Sequence, residues 1–392
     1  MHLSHLALHD FRNFRHLDLP LGCGLSLFYG ENAQGKTNLL ESVSMLATSN
    51  SFHASSDREV VNWYAPDRVA RISAEVERRE DEVKVEIVII DASSADTEVE
   101  SAYSAAPPDR QRKRIKVNGA VKKATDLIGQ VTVVLFAPTD LRLVDGSPED
   151  RRRFLDRALC QAQPRYCAAL ARYRKVISQR SALLKRIREN QEDPRMLEFL
   201  DEKLVELASL IIHERQRMVN ALNTHVDGLQ TLISGGREGL QIAYRPAFQL
   251  DPAWNTLEAM EQYRRQLQAA RRREIQQGVC LLGPHRDDLD FVANDVNLLT
   301  YGSRGQQRTA ALSAKLAELE FMRVATGEEP ILLLDDVFSE LDAARREYLL
   351  RLALEHEQAL VTATDMAGIP EEMLSRIHRF SVVAGEIAHT HF

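Results

Sequence analysis

Residues 29–38 read YGENAQGKTN, and the spacing Gly30-x4-Gly35-Lys36-Thr37 restricts this chain more than any other segment. A backbone curls tightly enough to aim several N–H groups at one anion where glycine removes side-chain crowding. A helix that starts at the end of such a loop adds its positive N-terminal end. Both neighbours are present: Leu25-Ser26-Leu27-Phe28 reads as a short buried strand, and Leu39, Leu40, Val43 and Leu46 recur at helical spacing after Lys36. In this setting the Lys36 ammonium neutralises the β- and γ-phosphates of a nucleotide, and the Thr37 hydroxyl ligates Mg²⁺. A glycine turn that binds nothing is the competing reading, and the order strand, loop, helix disfavours it.

The 392 residues, 44% of them hydrophobic, supply core for two or three domains. No apolar run approaches the roughly 20 residues of a membrane helix. MHLSHLALHDF lacks a basic stretch followed by an apolar block, so the expectation is a cytoplasmic protein with no membrane contact. Cys23, Cys160, Cys167 and Cys280 form no C-x-x-C pair and no zinc spacing, and read as inert thiols of a reducing compartment. A net charge of −7 argues against a uniformly basic coat and leaves room for local basic surfaces.

Up to about residue 145 strands and short helices alternate. Leu3, Leu6 and Leu8 start a strand, RISAEVE and VKVEIVII give two more, and VTVVLF is a buried one. Asn118-Gly119 marks a hairpin turn in RKRIKVNGAVKK. Residues 91–110, rich in Ala, Ser, Asp and Pro, read as an exposed loop. Helical texture begins at GSPEDRRRFLD, with Ser147 as N-cap, Pro148 at the first helical position and two acids in the first turn. It runs to about Arg188 and breaks at ENQEDP. It resumes with Leu197, Leu200, Leu204, Leu207, Ile211, Met218, Leu222, Leu229 and Ile233 as a coiled-coil-like seam. Two antiparallel helices of roughly 40 residues each would project ~60 Å. A strand (LQIAYRP), a helix over 257–276 and a return to α/β texture from Gly278 follow. The expected fold is α/β, with 1–146 and 278–392 as two halves of a head and 147–277 as an inserted helical arm.

PILLLDD, 330–336, is an apolar strand ending in two carboxylates. Beside a phosphate loop, one such acid joins the Mg²⁺ shell and the other orients or deprotonates the attacking water. We assign Asp335 to the first role and Asp336 to the second. YGSRGQQRT, 301–309, sets Ser303 between Gly302 and Gly305 at a helix start, which faces an anion as readily as it caps the helix. SELD, 339–342, opens the helix after the carboxylate strand.

Over 157–188 nine basic residues (Arg157, Arg165, Arg172, Arg174, Lys175, Arg180, Lys185, Arg186 and Arg188) occur with no Asp or Glu. Such a helix neutralises DNA phosphates without reading bases. Pairing with Glu198, Asp201, Glu202 and Glu206 of the next helix is the weaker alternative. Arg112, Lys113, Arg114, Lys116, Lys122 and Lys123 form a second basic cluster on the hairpin.

The order of phosphate loop, helical insertion, S-x-G-Q helix, Asp-Asp strand and S-x-L-D resembles the ABC-type ATPases of the SMC class. HDFRNF, GENAQGKTNLLE, GSPEDRRRFLD, GPHRDDL, GSRGQQRT and LLLDDVFSELD, spread from residue 9 to 342, narrow the resemblance to the RecF family of bacterial recombinational DNA repair. It implies an ABC-type ATPase head interrupted by a short antiparallel coiled-coil arm. ATP would be held by Gly30, Glu31, Asn32, Ala33, Gln34, Gly35, Lys36 and Thr37, with Mg²⁺ on Thr37 and Asp335, and Arg12 and Asn13 would reach the phosphates. Lys36, Asp335, Asp336 and Ser303 would be catalytic. Ser303, Gly305 and Gln306 would grip the γ-phosphate bound by a second subunit, and Asp342 would lie in a segment crossing between subunits. The implied partners are DNA (single-stranded, duplex or gapped, without sequence specificity), a second copy of the chain on ATP binding, and the mediators RecR and RecO. The implied role is recombinase loading at gapped DNA in repair, replication restart and the SOS response.

Two departures bear on rate. Most such ATPases carry Glu where this chain has Asp336, which has a shorter reach to water. LVTATD, 360–365, offers Thr362 or Thr364 and no histidine at the switch position. Both imply slow, switch-like hydrolysis; that DNA stimulates it is the expectation for a DNA-binding ATPase. His53 stands where an arginine is expected and has no assigned role. The alternative is another SMC-like or transporter-type ABC ATPase; the transporter type would need no long basic arm, and a small-molecule kinase would need neither Ser303-Gly305 nor S-x-L-D.

Overall fold

The computed structural model describes residues 1–91, 113–248, 256–366 and 369–390. Residues 92–110 of the expected loop, and Arg112 of the basic hairpin, lie outside the described residues. The chain forms two compact units, Met1–Pro138 with Met322–Phe392, and Thr139–Phe321. The first opens with β1 (His2–Phe11), β2 (Phe14–Pro20), β3 (Gly24–Tyr29), α1 (Lys36–Thr48), β4 (Val69–Glu77), β5 (Glu82–Ile90), β6 (Lys113–Val117), β7 (Ala120–Lys122), α2 (Ala124–Leu127) and β8 (Val133–Phe136). The second holds α3 (Pro148–Ala162), α4 (Pro164–Arg188), α5 (Leu197–Ser234), β9 (Gln241–Arg245), α6 (Thr256–Gln277), β10 (Asp288–Ala293), β11 (Val296–Asn297), α7 (Leu298–Tyr301) and most of α8 (Arg304–Thr326). The chain returns to the first with β12 (Ile331–Asp335), α9 (Ala343–Glu355), β13 (Gln358–Ala363), α10 (Glu371–Leu374), β14 (Ile377–Val383) and β15 (Glu386–His389).

Two six-stranded sheets build the first unit. One is antiparallel, in the order β2-β1-β4-β5-β6-β7, and β4 alternates as a half-buried strand should, with Ala70, Ile72, Ala74 and Val76 inward. Its β6–β7 turn places Asn118 (φ 49°) and Gly119 (φ 79°) in the left-handed region that a two-residue hairpin demands. The other runs β15-β14-β3-β13-β12-β8, parallel except for edge strand β15. Its β12 is buried along its whole length, which is why ILLLD reads as an unbroken apolar run. Leu39, Leu40, Val43 and Leu46 of α1 join one core with Leu6 and Ile72 of the first sheet and Leu333 and Leu360 of the second. With β13 between β3 and β12, the loop after Tyr29 and the Asp335-Asp336 pair leave the same, carboxyl edge of the sheet.

The helical region departs from the expected pair of ~40-residue helices. Ser147 caps α3 through a capping box, its N–H donating to the Asp150 carboxylate at 2.9 Å and its Oγ accepting the Asp150 N–H at 3.3 Å. The helix then ends at Gln163, whose extended backbone (φ −140°, ψ 98°) is what a residue before proline prefers, and Pro164 starts α4. The helix that precedes and runs antiparallel to α5 is therefore α4, of 25 residues, spanning about 37 Å instead of ~60 Å. A third helix also joins: Arg180 of α4 is clamped by Asp201 of α5 (2.7 Å) and Glu274 of α6 (2.6 Å), and Arg264 of α6 pairs with Glu202 of α5 (2.9 Å). Among the described residues the insertion thus packs α4, α5 and α6 together, with α3 leading into them, and α5 ends at the left-handed Gly235 and Gly236. Among the described residues no helix is long and apolar enough to cross a membrane.

Candidate functional site

The phosphate loop is shaped by contacts that admit no side chain. A Cβ at Gly30 would lie 2.3 Å from the Val382 carbonyl oxygen, and one at Gly35 (φ 117°) would lie 2.5 Å from Asn13 Nδ2. Lys36 folds back over the loop, its Nζ donating to the carbonyls of Gly30 (2.6 Å) and Glu31 (2.7 Å). Burial lowers the pKa of this ammonium, against the raising influence of Asp336 and then Asp335. Glu31, Asn32 and Ala33 are exposed on the outer rim, and Gln34 is half-buried.

The Thr37 hydroxyl donates to Asp335 Oδ1 at 2.8 Å. Thr362, at the end of β13, donates to the same oxygen at 2.9 Å and accepts the Asp336 N–H at 2.9 Å. Thr362 is thus buried behind the carboxylate pair, while Thr364 lines a cleft of about 270 Å³ with Asp336, Ser339 and Arg346. Asp336 sits in a left-handed conformation (φ 50°), and burial followed by repulsion from Asp335 raises its pKa, against Lys36. The glycine cradle, the inward ammonium and the hydroxyl–carboxylate pair fit a nucleotide triphosphate with a hard, oxygen-seeking cation such as Mg²⁺.

Arg12 and Asn13, in the β1–β2 turn, flank the loop. The Arg12 guanidinium is bidentate to the fully buried Glu41 (2.8 and 2.7 Å) and also donates to the Glu59 carbonyl at 2.9 Å. Asn13 donates to the Gln34 carbonyl at 2.8 Å and accepts from Asn38 at 2.7 Å. Beside them opens a cleft of about 450 Å³ whose lining includes Asn38, Asn62, Trp63 and Tyr64. Trp63 is 85% exposed and Tyr64 79%. Sequence reasoning missed this cleft and Glu41; the signal available was two adjacent aromatics, NWY, with no apolar periodicity around them.

Ser303, Gly305 and Gln306 belong to the second unit. The Ser303 N–H donates to Gln306 Oε1 at 2.9 Å and the Gln306 N–H to Ser303 Oγ at 3.3 Å, a reciprocal cap that leaves Ser303 and Gly305 exposed. Gln306 Nε2 also donates to Glu238 at 2.8 Å. Asp342 caps α9, accepting the Arg345 N–H at 3.0 Å.

The basic run of the arm divides. Arg180 is fully buried between its two acids, so it is a structural cation and not a surface one. Arg157 is half-buried. Arg165, Arg172, Lys175 and Arg186 are exposed and, by helical spacing, share one face of α4. On the hairpin, Lys113 pairs with Asp57 (3.0 Å) and Lys116 with Glu86 (2.8 Å), leaving Arg114, Lys122 and Lys123 as its exposed cations among the described residues.

Fold and site together define a phosphate-loop head of the ABC ATPase type with an inserted helical arm. The chain matches the RecF/RecN/SMC N-terminal domain family over residues 2–385. The DNA replication and repair protein RecF of Chloroflexus aurantiacus is 42% identical over 99% of both chains, and that of Halalkalibacterium halodurans 38% identical over 99% of both. The solved structure of the recombination mediator protein RecF with ATPrS, from the RecFOR pathway, superposes with a TM-score of 0.86 at 31% identity, covering 100% of this chain and 98% of that one. An Smc head bound to the C-winged helix domain of ScpA shares the fold alone, with a TM-score of 0.54 at 13% identity. The chain belongs to the RecF family.

Proposed function

We propose that this protein is an ATP-dependent, DNA-binding protein of recombinational repair and replication restart, which binds gapped DNA without sequence preference and helps load recombinase there. The observation that carries the reading is the meeting of Lys36 and Thr37 with Asp335 and Asp336 at one sheet edge, in a chain alike over its full length to RecF proteins. That likeness favours this role over a transporter-type ATPase or a kinase. The division by role is a head (1–146 and 278–392) and an arm (147–277).

In this reading Lys36 exchanges its loop carbonyls for the β- and γ-phosphates, and Arg12 and Asn13 hold the loop's flank. The base lies in the Trp63–Tyr64 cleft, where an aromatic face stacks on it. Thr37 and Asp335 would hold Mg²⁺, which when bound would neutralise phosphate charge. Asp336 orients the attacking water, with its short reach making turnover slow. Ser303, Gly305 and Gln306 complete the site of a second copy, so ATP drives dimerisation. The exposed face of α4 contacts DNA phosphates. RecR and RecO are the expected protein partners, in the cytoplasm and within the SOS response.

The test is ATP hydrolysis with and without DNA. Wild type should be slow and stimulated by DNA, and Lys36→Ala should lose ATP affinity by tenfold or more, on the order of 1.4 kcal/mol or above. Equal affinity and turnover in the two proteins would refute the site.

A further inference from the structure

The turn between β14 and β15 touches the phosphate loop at the peptide joining Gln34 and Gly35. Ala384 (φ 52°) and Gly385 (φ 82°) form this turn. The Gly385 N–H donates to the Gln34 carbonyl at 3.0 Å, and the Ala384 N–H donates to the Gln34 side chain at 2.6 Å. The Gln34 carbonyl also accepts from Asn13 at 2.8 Å. The turn packs onto Asn13 so closely that a Cβ on Gly385 would lie 2.4 Å from the Asn13 carbonyl oxygen. Two residues before the turn, the Val382 carbonyl is what excludes a side chain at Gly30.

The C=O and N–H of a trans peptide point in opposite directions. Two donors that fix the Gln34 carbonyl therefore also fix the Gly35 N–H, turned away from the hairpin. We infer that the C-terminal hairpin is a positioning element of the nucleotide site: Ala384 and Gly385, with Asn13, hold the 34–35 peptide so that the Gly35 N–H faces the bound phosphates. Gln34 accordingly serves the hairpin with its side chain and not the nucleotide. By thermodynamic reciprocity, a hairpin that favours nucleotide binding is itself held more firmly when nucleotide binds. This inference rests on the reading of the loop as an ATP site.

The experiment measures ATP affinity by calorimetry on the full chain, with hydrogen exchange of the 382–390 segment as a second readout. Gly385→Ala should weaken ATP binding about tenfold, because the added methyl carbon meets Asn13. Gly327→Ala is the control: Gly327 has a similar backbone (φ 72°) but nothing within 4 Å of an added Cβ, so it carries the strain without the contact and should bind ATP as wild type does. In wild type, ATP should slow amide exchange at Ala384 and Gly385. Wild-type affinity in Gly385→Ala, an equal loss in Gly327→Ala, or exchange at the turn unmoved by ATP would each overturn the inference. Should Lys36→Ala bind ATP as wild type does, the loop reading itself falls and the inference with it. Intact Lys36 dependence with no effect at Gly385 removes the inference alone.

Discussion

Thr37 and Asp335, 298 residues apart in sequence, share a 2.8 Å hydrogen bond, and Thr362 donates to the same carboxylate oxygen from the neighbouring strand. One carboxylate oxygen is thus aimed by two hydroxyls, and the second hydroxyl also satisfies the Asp336 N–H. Thr362→Val keeps the shape and leaves that N–H without its partner, which should cost about 1–3 kcal/mol in urea unfolding. It should also raise the Mg²⁺ concentration needed for half-maximal hydrolysis, because Asp335 loses its orientation. Thr362→Ser, which restores the hydroxyl, should recover the Mg²⁺ dependence. A normal Mg²⁺ titration in the valine variant would show that Thr362 only packs.

The arm gives two opposite outcomes from one kind of substitution. Replacing Arg165, Arg172 and Lys175 with Glu should weaken duplex binding and flatten the slope of log K against log salt, while leaving the fold intact. Arg180→Glu should instead destabilise the arm by about 3–5 kcal/mol, because it removes the cation between buried Glu274 and Asp201. Salt titrations and urea melts of both variants check this. An unchanged slope in the triple variant would return the face of α4 to a solvated surface.

His285 sets a pH dependence. Its Nδ1 meets the Tyr173 hydroxyl at 2.6 Å, and burial, aided by Arg286 and Arg152 and opposed by the Cys280 carbonyl and Glu274, holds its pKa down to about 4 against 6.5 when free. Between these values the unfolded chain binds a proton that the folded one refuses. Stability is therefore full above pH 6.5 and falls as pH drops toward 4, by up to ~3 kcal/mol, with no further loss from this group below that. His285→Gln should flatten this part of the stability–pH curve in urea melts from pH 4 to 7. An unaltered curve would place the effect elsewhere.

The strands, the loop–helix junction and the Ser147 start were legible because each is written in local chemistry: alternation, glycine spacing and a capping box. Helical periodicity passes through Gln163-Pro164 almost unbroken, so the pattern reads as two long helices rather than three. Proline is acceptable at a helix start, so the sequence alone did not tell a new helix from a continued one. Arg180 looked like its basic neighbours until α5 and α6 placed acids on both sides of it. LVTATD points to Thr362 or Thr364 without choosing between them; Glu41 and the 384–385 turn act only through partners far away in sequence, and no local pattern marks such a role.

The central claim, that ATP is gripped by the loop of one copy and the Ser303 segment of another, is tested most directly by mixing two inactive variants. Lys36→Ala lacks the loop cation, and Ser303→Arg blocks the exposed signature. A two-fold dimer holding one of each has one composite site with both lesions and one with neither. Random pairing of an equimolar mixture should then restore about a quarter of wild-type ATP hydrolysis, while each variant alone stays inactive. No recovery, with mixed dimers demonstrated by differential tagging, would contradict the shared site and leave ATP binding confined to single chains.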